Sequence, residues 1–145
     1  MKIALSFLFG LSFFCQNSIA QFTRQTDSLA LVALYNSTDG ANWTNKWDLS
    51  KPMNTWYGVD VYNNRVTSLV LEDNNLVGTI PSLIGNLVNI TQLNLFHNQL
   101  GDDGICSLAN ILYINSTLEE LYLAHNAITD QGQWLCSTGC VIQVA

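Results

Sequence analysis

Apolar residues recur at a fixed spacing along the middle of the chain. The segments that begin at Val66, Ile90 and Leu118 share the pattern LxxLxLxxNxL, with aliphatic residues at the L positions, and their starts lie 24 and 28 residues apart. Within each segment, apolar and variable residues alternate with the period of two that is typical of a β-strand with one buried face. A short strand and a return segment, repeated three times, predict a solenoid.

An asparagine follows each predicted strand at the point where the chain must turn. These residues are Asn74, Asn98 and Asn126. When they stack in neighbouring turns, their amides can bond backbone groups that would otherwise lie unpaired inside the solenoid. We therefore predict a structural asparagine ladder.

The leucines, the asparagine and the period together resemble the leucine-rich repeat family over residues 66–132. This resemblance implies an α/β fold, a short right-handed solenoid with parallel strands on its concave face and turns or a helix on its convex face. The first return segment, Leu76 to Leu87, resembles the plant-type repeat. The segment from Gly101 onward is more similar to the ribonuclease-inhibitor type, so the convex side is expected to change from loop or 3₁₀ turns to helix.

The first twenty residues have the form of a secretory signal peptide. Lys2 precedes the apolar stretch from Ile3 to Phe14, and a small-residue cleavage site ends at Ala20. The apolar run is too short to favour a membrane span, so we predict no transmembrane segment and a secreted or cell-surface protein. The predicted organisation is a signal peptide over residues 1–20, an N-terminal cap over 21–65, repeats over 66–132 and an irregular or truncated tail over 133–145.

The cap has a helical part and an irregular part. Residues 26–35 predict a short amphipathic helix that begins at Thr26 or Asp27. Residues 36–60 show no clear period but contain Trp43, Trp47 and Trp56. Because a solenoid needs a cap, we expect these tryptophans to form an aromatic core over the open edge of the first repeat strand. The cap resembles that of plant-type ectodomains and of secreted microbial members of the family, but Asp60 stands where a cysteine is usual, so it must hold by packing.

Charge narrows the range of partners. Five basic residues face 11 acidic ones, the formal net charge is −6, and no basic cluster occurs. This balance disfavours nucleic acid and anionic membranes as partners.

Covalent modification is expected at two kinds of residue. Four Asn-x-Ser/Thr sequons are glycan sites in a eukaryotic secretory pathway, although a chain rich in Asn, Ser and Thr also produces them by chance. They lie at Asn36, Asn42, Asn89 and Asn115.

Three cysteines follow the signal peptide, an odd number for an exported protein. Cys106 and Cys136 occupy similar positions in adjacent turns, so we predict a disulfide between them. In this prediction Cys140 is not part of a disulfide.

The variable strand positions point to the concave face and form columns about 4.8 Å apart across the strands. One column contains Asp73, His97 and His125. Two imidazoles and a carboxylate can bind a divalent metal or respond to pH, but they can equally be exposed polar residues of a turn. A shallow sheet seldom supplies the outer shell that a metal needs, so we predict no metal and no other cofactor. The predicted binding residues are Glu72, Asp73, Gln92, Asn94, Phe96, His97, Glu120, Tyr122 and His125.

Phe96 and Tyr122 are the strongest candidates for binding anchors, since an exposed aromatic side chain on a rigid sheet is typical of binding surfaces. Both are equally compatible with lone surface aromatics that cover a neighbouring strand. No nucleophile elbow, phosphate loop or pair of carboxylates across a cleft occurs, so we predict no catalysis.

The sequence therefore predicts an interaction module whose concave sheet binds a protein, peptide or glycan outside the cytoplasm. Two other functions stay open. The third repeat has no capping segment, so either a short tail folds over its edge or, as we favour, the chain is the front part of a larger surface receptor or adhesin. Alternatively, it inhibits a secreted hydrolase.

Overall fold

The computed structural model describes residues 26–112 and 115–129. Helix α1 covers residues 26–37. It is followed by strands β1 (Val59–Tyr62), β2 (Arg65–Val70) and β3 (Gln92–Asn94), helix α2 (Gly101–Leu112) and strand β4 (Glu120–Tyr122). Short 3₁₀ helices lie at Gly40–Asn42, Met53–Thr55 and Ser82–Asn86. The strands form one sheet in the order β1-β2-β3-β4, and this arrangement confirms the predicted α/β solenoid.

The three repeat strands are parallel and align at the repeat spacing. Leu69 pairs with Leu93, and Leu93 pairs with Leu121. The return segment between β2 and β3 is the 3₁₀ helix, whereas the one between β3 and β4 is α2. The predicted change from 3₁₀ turn to helix is therefore present.

The hydrophobic core lies between the sheet and the return segments. The leucines of the first two repeats face inward from the strands, and isoleucine and leucine side chains of the return segments face them. All of these are at most 3% exposed: Leu69, Leu71, Leu93 and Leu95 from the strand side, and Ile84, Ile105 and Leu108 from the return segments. In the third repeat, Leu118 and Leu121 are only partly buried. This difference follows from position, because β4 is the edge strand within the described residues.

The tryptophans of the cap form the expected aromatic core. The rings of Trp43 and Trp47 meet edge to face at 4.9 Å, and Trp47 stacks on Trp56 at 4.9 Å. Tyr35 of α1 contacts Trp43 at 5.0 Å. Each indole N–H of these three residues donates to a backbone carbonyl, as Trp43 does to Thr38 at 2.8 Å, so the rings are buried without an unpaired donor.

The prediction that the tryptophans cover the edge of the first repeat strand is wrong in one respect. That edge is paired with β1, an antiparallel strand whose residues include Val59 and Asp60 from the stretch in which no period was found. Packing of aromatic rings leaves the exposed N–H and C=O groups of an edge strand without partners, whereas a neighbouring strand pairs them. Asn63 and Asn64 form the hairpin turn, both with positive φ (49° and 62°), as a tight hairpin requires.

Asp27, one of the two residues at which we expected the helix to begin, contacts the first repeat strand. Its carboxylate is fully buried and accepts a hydrogen bond from the Val66 N–H at 2.9 Å. It also pairs with the Arg65 guanidinium at 2.8 Å. Burial raises the pKa of Asp27, whereas the Val66 N–H and Arg65 act in the opposite direction. The carboxylate thus ties α1 to the first repeat strand.

Gly58 is required where the cap meets β2. It has φ +72°, and a Cβ atom there would overlap the Val70 carbonyl oxygen. We expect Gly58→Ala to lower the free energy of unfolding by about 2–3 kcal/mol through strain and overlap, as measured by urea denaturation. Gly101→Ala is the matched control, since Gly101 has φ +62° but no atom near the added carbon. Equal losses in the two variants would contradict the close approach at Gly58.

Some of the predictions concern residues outside the described ranges. The predicted signal peptide, residues 1–20, is among these, as are Cys136 and Cys140. Cleavage after Ala20 and the pairing of Cys106 with Cys136 therefore stay predictions. Across residues 26–112 and 115–129, no helix is long and apolar enough to cross a bilayer.

Candidate functional site

Mostly polar side chains cover the side of the sheet that faces away from the core. We call this surface the open face. All nine residues predicted for binding lie on it and are exposed or half-buried. The register adds Asp60, which pairs with Ser68 and therefore shares its side of the sheet. The open face consists of Asp60, Ser68, Val70, Glu72, Asp73, Gln92, Asn94, Phe96, His97, Glu120, Tyr122 and His125.

A chain of hydrogen bonds crosses the open face where the strands begin. The Ser68 hydroxyl donates to Gln92 Oε1 at 2.8 Å, and Gln92 Nε2 donates to Glu120 Oε2 at 2.7 Å. The Tyr122 hydroxyl lies 3.5 Å from the same carboxylate oxygen. Because its amide bonds both neighbours, Gln92 is fixed in one orientation.

A second set of bonds holds Glu72 near the middle of the face. Asn94 Nδ2 donates to Glu72 Oε2 at 3.0 Å, while Asn94 Oδ1 accepts the N–H of Phe96 at 2.9 Å. Both oxygen and nitrogen of the Asn94 amide are therefore used. The Glu72 carboxylate is thus oriented by a neutral amide donor.

The predicted column of Asp73, His97 and His125 is formed just beyond the strands. His97 Nδ1 lies 2.7 Å from Asp73 Oδ1, and the two imidazole rings are 5.9 Å apart. All three residues have positive φ (55°, 54° and 59°), a conformation that Asp and His adopt more readily than most residues. The backbone thus accounts for part of the choice of residue at this column.

Phe96 is more buried than we predicted. Its ring meets His125 edge to face at 5.1 Å and lies 6.0 Å from His97, which leaves it half-buried. Tyr122 is 42% exposed. Tyr122 is consequently the more accessible of the two aromatic side chains.

In the described part of the chain, no three His, Cys, Asp or Glu side chains lie close enough together to hold a metal ion. Among the carboxylates of residues 26–112 and 115–129, that of Asp73 pairs with His97, and both side chains are exposed to solvent.

The asparagines below the open face make the turns rigid. Asn98 Oδ1 accepts the N–H groups of Asn74 and Leu76 at 3.1 and 2.9 Å, and its Nδ2 donates to Leu71 and Leu95 carbonyls at 2.8 and 3.0 Å. Asn126 repeats the pattern towards Leu95 at 2.7 Å. These bonds join neighbouring turns, so they set the spacing of the open-face columns.

Asn74 begins the ladder and differs from the other two asparagines. Its Oδ1 accepts the N–H of Asn45 in the cap at 2.6 Å, but its buried Nδ2 has no partner within the described residues. Within the described residues, only the oxygen of the Asn74 side-chain amide therefore has a hydrogen-bond partner.

Charge is distributed unevenly between cap and repeats. From Val66 to the end of the sequence there is no Lys or Arg. Arg65, the last cation, is turned towards Asp27 and its side chain is 15% exposed. The open face carries four carboxylates and neither Lys nor Arg; the carboxylates belong to Asp60, Glu72, Asp73 and Glu120.

The predicted glycan sites differ in accessibility. Asn36, Asn42 and Asn89 are exposed, whereas Asn115 is half-buried. The Asn115 Oδ1 accepts the N–H groups of Thr117 and Leu118, both at 2.9 Å. Glycosylation at these four residues stays a prediction.

Comparisons with known proteins agree on the repeats. A family model described as Leucine Rich Repeat matches residues 60–87, and another with the same description matches residues 86–109 and 115–132. Two probable leucine-rich repeat receptor-like protein kinases from Arabidopsis thaliana are 36% identical over 91 residues and 37% identical over 99 residues. These matches cover 63% and 67% of this chain but only 13% and 10% of the relatives.

A crystal structure of a leucine-rich repeat protein from Bacteroides eggerthii is also similar. It is 30% identical with a TM-score of 0.48, over 53% of this chain and 13% of that one. The plant-type character of the cap stays a prediction. Together, the aligned strands, the asparagines that join neighbouring turns and the family matches show that the chain is a leucine-rich repeat protein.

Proposed function

We propose that the chain is an extracellular recognition module that binds a protein or peptide on its open face and performs no catalysis. One observation carries this proposal: the polar side chains of the open face are fixed by bonds between neighbouring strands, as Gln92 is between Ser68 and Glu120. A surface that is ordered before binding loses little conformational entropy when a partner docks.

Tyr122 supplies the proposed anchor. Its side chain is 42% exposed. Asn94 pairs with Tyr122 on the neighbouring strand, and Glu120 lies two residues before Tyr122 on the same strand. A large aromatic side chain among oriented polar groups is the composition found at binding hot spots. Phe96 is half-buried, and its ring contacts His125 on the same face.

The location outside the cytoplasm rests on the predicted signal peptide over residues 1–20. The names of the Arabidopsis relatives, receptor-like protein kinases, support a role in recognition. Because the chain spans only 10% to 13% of those relatives, their kinase activity is not part of the proposal.

A random-peptide display selection against the whole chain tests this function. We expect selected peptides to bind the chain and to bind Tyr122→Ala about thirtyfold more weakly or worse, because truncation of a hot-spot residue costs about 2 kcal/mol or more. Affinity is measured by isothermal titration or biolayer interferometry.

The matched control is Leu83→Ser. Leu83 is 44% exposed, similar to Tyr122, but it lies on the 3₁₀ return segment behind the sheet. Peptides that bind Tyr122→Ala as well as wild type, or that lose affinity equally with Leu83→Ser, would contradict binding at the open face.

A further inference from the structure

Resting on the proposed function, we infer that the partner of the open face is cationic: an extended peptide segment whose Lys or Arg side chains pair with Glu72 and Glu120. Two independent features support this choice, the uncompensated charge of the face and an accessible aromatic ring beside one of the carboxylates.

Apart from the two histidines, the charged side chains of the repeats are all acidic. No Lys or Arg follows Arg65 in the sequence, and Arg65 itself is used by Asp27. A cationic segment that approaches the open face therefore meets no Lys or Arg there. Long-range attraction of this kind selects partners and speeds their encounter.

The carboxylates of Glu72 and Glu120 are each oriented by one neighbouring side chain. Glu72 is oriented by Asn94, and Glu120 by Gln92, in each case through an amide N–H donor at 3.0 or 2.7 Å. A carboxylate has about four acceptor positions, so each keeps capacity for a further donor. A charged donor would form the stronger, charge-assisted hydrogen bond at these oxygens.

Tyr122 adds a second feature that favours a cation. Its hydroxyl lies 3.5 Å from Glu120 Oε2, and its side chain is 42% exposed. A guanidinium or ammonium group near this carboxylate can also contact the electron-rich face of the ring. A neutral or acidic segment would gain neither interaction.

The register gives the spacing that such a peptide needs. Glu120 aligns with Gln92 and Ser68, so Glu72 lies two strands away and four residues further along. At about 4.8 Å between strands and about 3.3 Å per residue, the two positions are about 16 Å apart. An extended peptide spans this distance with about five residues, so we expect two cations about five positions apart.

The same peptide selection tests this inference, with E72Q/E120Q as the variant. Glutamine keeps an oxygen that can accept from Asn94 and Gln92 but removes both charges. We expect the selected peptides to be enriched in Lys and Arg relative to the unselected library. We also expect synthetic copies to bind the double variant about tenfold more weakly or worse, with an affinity for wild type that falls as NaCl is raised from about 0.05 to about 0.5 M.

The control variant D39N/D103N changes the net charge by the same amount. Asp39 lies in the cap and Asp103 on α2, and both are exposed. We expect less than about a threefold effect from this pair, because it leaves the open face unchanged. An equal loss in the two double variants would show non-specific attraction and overturn the inference.

The outcomes separate the inference from the function on which it rests. Peptides that need Tyr122 but are neutral or acidic, or that bind E72Q/E120Q like wild type, would overturn the cationic partner and leave the open face as a binding surface. A selection in which no peptide depends on Tyr122, Glu72 or Glu120 would overturn both.

Discussion

Asn98→Ala is expected to lower the free energy of unfolding by about 3–5 kcal/mol, a large part of the stability of a domain of this size. The side chain is 5% exposed and satisfies two backbone N–H groups, those of Asn74 and Leu76. Alanine leaves both donors buried without a partner, and each such group costs about 1–3 kcal/mol. Urea denaturation followed by circular dichroism measures the loss.

Asn74→Ala is the internal control for the ladder. Asn74 is completely buried, but within the described residues it accepts one bond, from Asn45, and its Nδ2 is unpartnered. We therefore expect a loss of only about 1–2 kcal/mol. If the two variants lost the same stability, bonding between turns would not be the role of the repeat asparagine.

Arg65→Met is expected to cost a similar amount, about 3–5 kcal/mol, by a different mechanism. The variant leaves the buried Asp27 carboxylate without the cation that lies 2.8 Å away. It also removes the donor to the Asn86 carbonyl at 3.0 Å. D27N/R65M should lose less than Arg65→Met alone, because no uncompensated charge is then buried while an oxygen remains to accept from Val66.

The pH dependence gives an additional test of this ion pair. Burial raises the folded-state pKa of Asp27, so its contribution to stability is present below the ordinary carboxyl pKa and is lost as the pH rises through the raised value. Without Arg65, which lowers this pKa, protonation begins at a higher pH. The deficit of Arg65→Met should therefore shrink between about pH 7 and about pH 4.5. A deficit that stays constant over this range would argue against a buried, charged Asp27.

The repeat pattern predicts much of this fold because it depends on residues that lie close together in the sequence and on a fixed repeat length. The spacing of leucines in each segment defines which side of a strand is buried, and the fixed repeat length brings Asp73, His97 and His125 into one column. Both features follow from strand period and register alone. For the same reason, the position of Asn98 in the repeat is enough to predict that its amide lies inside the turns.

The cap was less predictable because its contacts join distant parts of the sequence. Asp27 pairs with Arg65 and Val66, which are 38 and 39 residues away, and no local pattern signals that pairing. Strand β1 has only four residues, too few for a clear alternation. A signal was present in the Asn63-Asn64 pair, since consecutive asparagines between two β-branched segments favour a hairpin turn.

Phe96 shows a third limit, which concerns side-chain packing. Its position on the open face follows from the register, but its partial burial depends on the ring of His125 at 5.1 Å. The sequence places both residues on the same surface without indicating that they touch. Asp60 was overlooked because the strand that carries it was not predicted.

Amide chemical-shift mapping by NMR is the sharpest test of binding at the open face. The whole chain, labelled with ¹⁵N, is titrated with the tightest-binding selected peptide. We expect the largest changes at β2, β3, β4 and the residues just after them, including Glu72 and Phe96. Changes concentrated instead on Ser82–Asn86 and α2, with the strands unaffected, would contradict the assignment of the open face as the binding surface.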